Sequence, residues 1–155
     1  MLLTKTSELA IHSLLYLSQK PDGHVLNPQE IAGHLGESRT YISKVLRMLA
    51  HGGLLRSHRG AAGGFTLHRP SREITLLDVV EISQGTIPGN YCGRASEDSV
   101  KKTCGYHQAM HDLRDSTRAA LARWTIHQIL HTPRPKFDVP NCMMRRVALP
   151  RPPAR

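Results

Sequence analysis

The stretch Ser38 to Arg69, "SRTYISKVLRMLAHGGLLRSHRGAAGGFTLHR", changes its periodicity halfway along, and that change decides the fold. Up to His51, Ile42, Val45, Leu46 and Leu49 recur at three- and four-residue spacing, the buried stripe of an amphipathic helix. Its other face carries Arg39, Thr40, Tyr41, Ser43, Lys44 and Arg47. Beyond Gly52 and Gly53 the pattern becomes that of a strand, turns through the Gly-rich tip "RGAAGG" and alternates again from Phe65 to Leu67. Just upstream, "NPQEIAGHLG" reads as a short helix: Asn27 is an N-cap, Pro28 takes the first helical position, and Ile31 and Leu35 share a face before Gly36. Two short helices joined by a tight turn and followed by a two-stranded hairpin predict a helix-turn-helix with a wing.

Working outward, "TKTSELAIHSLLYLSQKPDG" predicts a first helix, with Leu9, Ile11, Leu14, Leu15 and Leu17 as its apolar residues and a Pro-Asp-Gly stop. "TLLDVVEISQG" predicts a short closing helix, so residues 1–84 read as one winged-helix domain, mainly α with a small β-wing. Residues 85–103 are rich in Gly, Pro and polar residues without a period and read as a loop. From 104 to 131 a long helix is expected, with Met110, Leu113, Thr117, Ala120, Leu121 and Trp124 on one side. Such a stripe has no cover in so small a domain, so this helix is expected to pack on its copy in a homodimer. Residues 132–155 combine Pro with basic residues and read as a disordered tail.

Charge bounds the partner class. The chain of 155 residues carries a formal charge of +9, which favours an anionic partner such as nucleic acid. Residues 132–155 hold six Lys/Arg against one acid, however, so more than half of the excess lies in the tail and net charge alone identifies no binding face. Three cysteines cannot all pair within one chain, no secretory leader opens the sequence, and no apolar run is long enough to span a bilayer. These features predict a cytoplasmic protein without a membrane partner, in a reducing compartment where clustered thiols bind metal or act in redox chemistry. No Gly-rich phosphate loop, nucleophile elbow or paired carboxylates mark an enzyme.

The third helix, the "RGAAGGF" wing, "ITLLDVVEISQG" and the cysteine-bearing loop together resemble the IscR/NsrR-type winged-helix regulators of bacteria, the Rrf family, over residues 1 to about 130. The resemblance implies a homodimeric transcription factor, in the reading adopted here a repressor. Its third helix enters the major groove of a palindromic operator and its wing reaches the minor groove. Ser38, Arg39, Thr40, Tyr41, Ser43 and Lys44 supply short donors and cations near the helix N-terminus, and Arg59 at the wing tip suits a narrow minor groove. The plainer alternative is a solvated basic face on a winged-helix module that binds another protein.

The same resemblance implies an iron-sulfur cluster held through three loop cysteines and one variable ligand. This chain departs from that pattern: Cys92 and Cys104 stand in the loop region, and Asp98 stands midway between them. A cluster needs about four protein ligands, so two thiolates leave the set incomplete. Glu8 and His12 lie one turn apart on the first helix, and the set expected here is Cys92 and Cys104 from one subunit with Glu8 and His12 from the other. His107, three residues after Cys104, is the alternative ligand. A 2Fe-2S cluster fits this donor set, because imidazole in place of thiolate occurs at such centres. Two other readings remain: no cofactor, with Cys92 and Cys104 forming a reversible disulfide, or zinc held by Cys104, His107 and His111. Cys142, in the tail, has no ligand-spaced neighbour and is left out.

Overall fold

The structure, a computed structural model, describes residues 3–60, 63–87 and 104–132. Cys92, Asp98, Cys142 and the basic tail lie outside the described residues.

Helix α1 (Lys5–Leu17) starts where the Thr4 side chain accepts the Ser7 amide, and it buries Leu9, Ala10, Leu14, Leu15 and Leu17. Helix α2 (Pro28–Leu35) opens with a capping box. Asn27 Oδ1 accepts from Glu30 N at 2.9 Å and Glu30 Oε2 accepts from Asn27 N at 3.0 Å, so two otherwise orphaned donors are satisfied reciprocally. Gly36, at φ +68°, ends it in the left-handed conformation. After Glu37 the Ser38 side chain caps α3 (Arg39–His51), whose Ile42, Val45, Leu46 and Leu49 are fully buried as the periodicity predicts. Each such side chain contributes about 1.5–3 kcal/mol by leaving water.

The wing is an antiparallel pair, β1 (Leu55–His58) and β2 (Gly64–Leu67), in the register Leu55↔Leu67 to His58↔Gly64. Leu26 adds one further rung: its N–H donates to Phe65 O and its carbonyl accepts from Phe65 N, at 3.1 and 2.9 Å. That rung explains Gly64, where a Cβ would stand 2.3 Å from the Leu26 carbonyl oxygen. Helix α4 (Leu76–Gln84) follows a short 3-10 turn at Ser71–Glu73 and has its own capping box between Thr75 and Asp78.

The C-terminal part departs from the single helix expected over 104–131. Helix α5 (Gly105–Arg123) ends at Trp124, and a separate helix α6 (Ile126–His131) begins after Thr125. Trp124 and Thr125 are extended because they pair with the chain before α4: Leu76 N donates to Trp124 O at 2.8 Å and Ile126 N donates to Ile74 O at 2.9 Å. A capping box between Thr125 and Gln128 restarts the helix. Ile126 and Leu130 then join the same core as Leu14, Leu46 and Ile74, so the winged-helix core takes in residues beyond 84.

The expected stripe on α5 is divided as well. Leu121 is buried and Met110 and Thr117 are half-buried, but Leu113 is 57% exposed and Trp124 39%. The side of α5 that packs inward carries His107, His111, Arg114, Arg118 and Leu121, at alternating four- and three-residue steps. Arg118 makes an ion pair with Glu81 of α4. No helix among the described residues is long and apolar enough to cross a membrane.

Candidate nucleic-acid interface and metal site

The start of α2, the outward face of α3 and the wing enclose a cleft of about 720 Å³. Arg39, Ser43 and Arg47 line it from α3, Gln29 from α2, and His58 and Arg59 from the wing. None of the three arginines forms an ion pair among the described residues, so the cleft presents uncompensated positive charge. Lys44 is exposed on the same helix. Ser38 and Thr40 are exposed in its first turn, and because Ser38 Oγ accepts from Tyr41 N at 3.2 Å its own proton stays available to an outside acceptor. Gly60, at φ +103°, and Gly63, whose N–H donates to Gly60 O at 3.0 Å, give a tight tip that keeps Arg59 at the edge of the cleft.

Of the seven residues expected to meet DNA, Arg39, Ser43 and Arg59 converge on this cleft, while Ser38, Thr40 and Lys44 flank it on α3. Tyr41 differs. Its ring packs against the core and its hydroxyl lies 2.8 Å from Thr6 Oγ1 of α1. Sequence reasoning left Arg47 and Gln29 out of the site. Arg47 stands one turn after Ser43 on the same helical face, a spacing visible in the sequence, whereas Gln29 faces α3 only through the packing of α2 on it.

The expected ligands fall into two groups. Glu8 and His12 share a face of α1, Glu8 half-buried and His12 buried. Cys104 is the N-cap residue of α5, part-exposed, with its thiol unused as a cap. His107 is fully buried in the first turn of that helix, and neither ring nitrogen has a hydrogen-bond partner. Its ring centroid is 5.9 Å from that of His111, which is also buried and contacts Arg114 and Asp115. The Arg114 guanidinium, donating to the Asp115 carboxylate, holds that carboxyl below its usual range.

Among the described residues no three His, Cys, Asp or Glu side chains gather into a metal-holding group. Glu8 and His12 therefore do not meet Cys104 and His107 within one chain, and His111 does not complete a three-ligand zinc set with Cys104 and His107. Cys92 lies outside the described residues. The donor chemistry nevertheless fits a thiolate- and imidazole-bound group: a buried imidazole with both nitrogens unpaired is costly until a further group satisfies it.

Comparison with known proteins agrees with this architecture. Residues 3–132 match the family described as "Rrf2: Iron-dependent Transcriptional regulator". Protein aau3 of Rhizobium meliloti is 31% identical over 140 residues, covering 89% of this chain and 90% of that protein. The HTH-type transcriptional repressor NsrR of Streptomyces coelicolor is 28% identical over 134 residues, covering 86% and 90%. The structure of CymR, the global cysteine regulator of B. subtilis, superposes with a TM-score of 0.68 at 19% identity, over 85% of this chain and 98% of that one, a likeness of fold. The family is one of regulators of transcription, not of enzymes. With a family match that spans all of its described residues, and a helix-turn-helix, wing and basic cleft in their places, the chain belongs to the Rrf2 family of transcriptional regulators.

Proposed function

We propose that the protein is a homodimeric repressor whose grip on a palindromic operator is set by an iron-sulfur cluster, of the 2Fe-2S type, at the start of α5. The observation that carries the sensing half is His107: an imidazole with no exposure and no partner on either nitrogen, three residues after Cys104. Cys92 and Cys104 would supply thiolates. The two remaining positions would fall to Glu8 and His12 of the partner subunit, with His107 as the alternative that takes the place of one of them. The group, when bound, supplies a centre whose charge changes with redox state.

The chain's own residues supply the remaining steps. Arg39, Lys44, Arg47 and Arg59 attract and seat the phosphate backbone, and Ser38, Thr40 and Ser43 present short donors to base edges. Tyr106 and Leu113 stand exposed on the outer side of α5, with Trp124 exposed just past its end, and the same surface of a second copy is a matching cover that would also set two recognition helices for two half-sites.

The test is iron and acid-labile sulfide analysis, with a visible spectrum, on full-length protein purified without oxygen from iron-replete cells. Iron and sulfide in equal amounts, lost in Cys104→Ser, would support the reading. Their absence, together with a Cys92–Cys104 crosslink that forms on mild oxidation and alters operator affinity, would replace it with a metal-free thiol switch.

A further inference from the structure

Tyr41 sits in the first turn of α3 beside Ser38, Arg39 and Thr40, yet it takes a different course. Its ring lies against the core, and its hydroxyl is 2.8 Å from Thr6 Oγ1 in the first turn of α1. The next residue along α1, Ser7, is fully buried and centres a second set of bonds. Ser7 Oγ donates to Gln84 Oε1 at 2.7 Å and accepts from Ser83 Oγ at 2.7 Å. Gln84 Oε1 also accepts from Thr4 N at 3.0 Å. A hydroxyl has one proton, and that of Ser7 goes to Gln84, so the 2.9 Å contact between Thr4 Oγ1 and Ser7 Oγ has Thr4 as its donor. Thr4 Oγ1 in turn accepts from Ser7 N. The proton of Ser7 and the direction of its contact with Thr4 are thereby fixed, which makes this a specific joint.

Ser83 and Gln84 are the last residues of α4, immediately before the segment that leads to the cysteines. One turn of α1 thus holds the end of α4 through Ser7 and the beginning of the recognition helix through Thr6. We infer that Tyr41 is a positioning residue for operator recognition: the Thr6–Tyr41 bond, backed by the Ser7–Gln84 joint, fixes the first turn of α3 against the body of the domain. The inference rests on operator binding by α3. Hydrogen bonds to base edges tolerate only a few tenths of an ångström and limited misalignment, so a loosened first turn loses discrimination between duplexes. A purely packing role for Tyr41 would change stability and leave the affinity of the folded protein as it was.

The experiment measures binding by fluorescence anisotropy, using full-length protein and a duplex selected by the wild type from a random-sequence pool, with an unselected duplex beside it. The proteins are wild type, Tyr41→Phe, Thr6→Val, Ser7→Ala and the double variant of Tyr41→Phe with Ser7→Ala, each kept well below its own melting temperature. Tyr41→Phe and Thr6→Val are each expected to weaken the selected duplex about five- to tenfold, the scale of one lost hydrogen bond. Ser7→Ala should do the same, and the double variant should be no worse than about the poorer single, because both act through one path. Affinity for the unselected duplex and the salt slope should stay unchanged, since no phosphate contact is removed. Thr6 is on α1, so a loss confined to Tyr41→Phe would mean that Tyr41 touches DNA directly, and this overturns the inference. Wild-type affinity in Tyr41→Phe, or multiplying losses in the double variant, overturns it as well. Should the wild type select no duplex at all, operator binding itself fails and the inference falls with it.

Discussion

Gly52, which closes α3, lies directly under Ile82 of α4: a Cβ at position 52 would stand 2.6 Å from Ile82 Cδ1 and 2.8 Å from both its Cγ atoms. The contact sets how closely α3 ends against α4. Gly52 has φ −75°, an ordinary value, so the steric contact alone opposes a side chain. Gly52→Ala is expected to destabilise the domain by about 1–3 kcal/mol, as overpacking does, which urea denaturation would read as a lower midpoint. The companion substitution Ile82→Val should recover part of the loss by making room.

Arg59 and Lys44, on the wing and on α3, are the contacts to the DNA backbone proposed above. Removing either as Arg59→Ala or Lys44→Ala should lower the salt slope of duplex binding by about one and weaken selected and unselected duplexes alike. Anisotropy titrations across a salt series read both quantities. A slope unchanged in both variants would place the phosphates elsewhere.

The outer side of α5 gives a prediction about assembly. Leu113, 57% exposed, is in the middle of that helix, and a carboxylate there would be buried without a partner if a second copy covers it. Leu113→Glu should convert a dimer into a monomer with its helical content kept, measured by sedimentation and circular dichroism. A wild type that sediments as a monomer would refute the proposed cover.

His107 gives a prediction of opposite sign to the usual core substitution. With both nitrogens buried and unpaired, the imidazole weakens the metal-free fold, so His107→Leu should stabilise metal-free protein by about 1–3 kcal/mol. The same variant should retain less iron after anaerobic purification. Loss of stability in the metal-free variant would show that His107 serves packing instead.

The helix-turn-helix and wing were legible because their signals are local: Asn27 and Glu30 form a cap within four residues, Ile42 to Leu49 recur on one face, and the glycines mark the tip of the hairpin. The break at Trp124 was not, since it arises from pairing with Ile74 and Leu76, some fifty residues earlier in the chain. One trace of it was available in the Thr125-x-x-Gln128 capping pattern, which a continuous apolar stripe obscured. The inward side of α5 was misjudged for another reason. Periodicity counts His and Arg as surface residues, yet His107 and His111 are buried there and Arg118 is paired with Glu81. Cys104 and His107 fall on one helical turn as their spacing suggests, but whether Glu8 and His12 join them depends on a second subunit that no single sequence displays.

The stitch between Trp124–Ile126 and Ile74–Leu76 has a mechanical consequence. It fastens the C-terminal end of α5 to the body of the domain, so the nineteen-residue helix is a lever of about 28 Å with its fulcrum at Trp124 and Cys104 at its far tip. A displacement of one ångström at that tip tilts the rod by only about two degrees. Chemistry at the thiol end is therefore geared down along the rod: Arg118, which grips Glu81 about 9 Å from the fulcrum, moves only about a third as far as the tip.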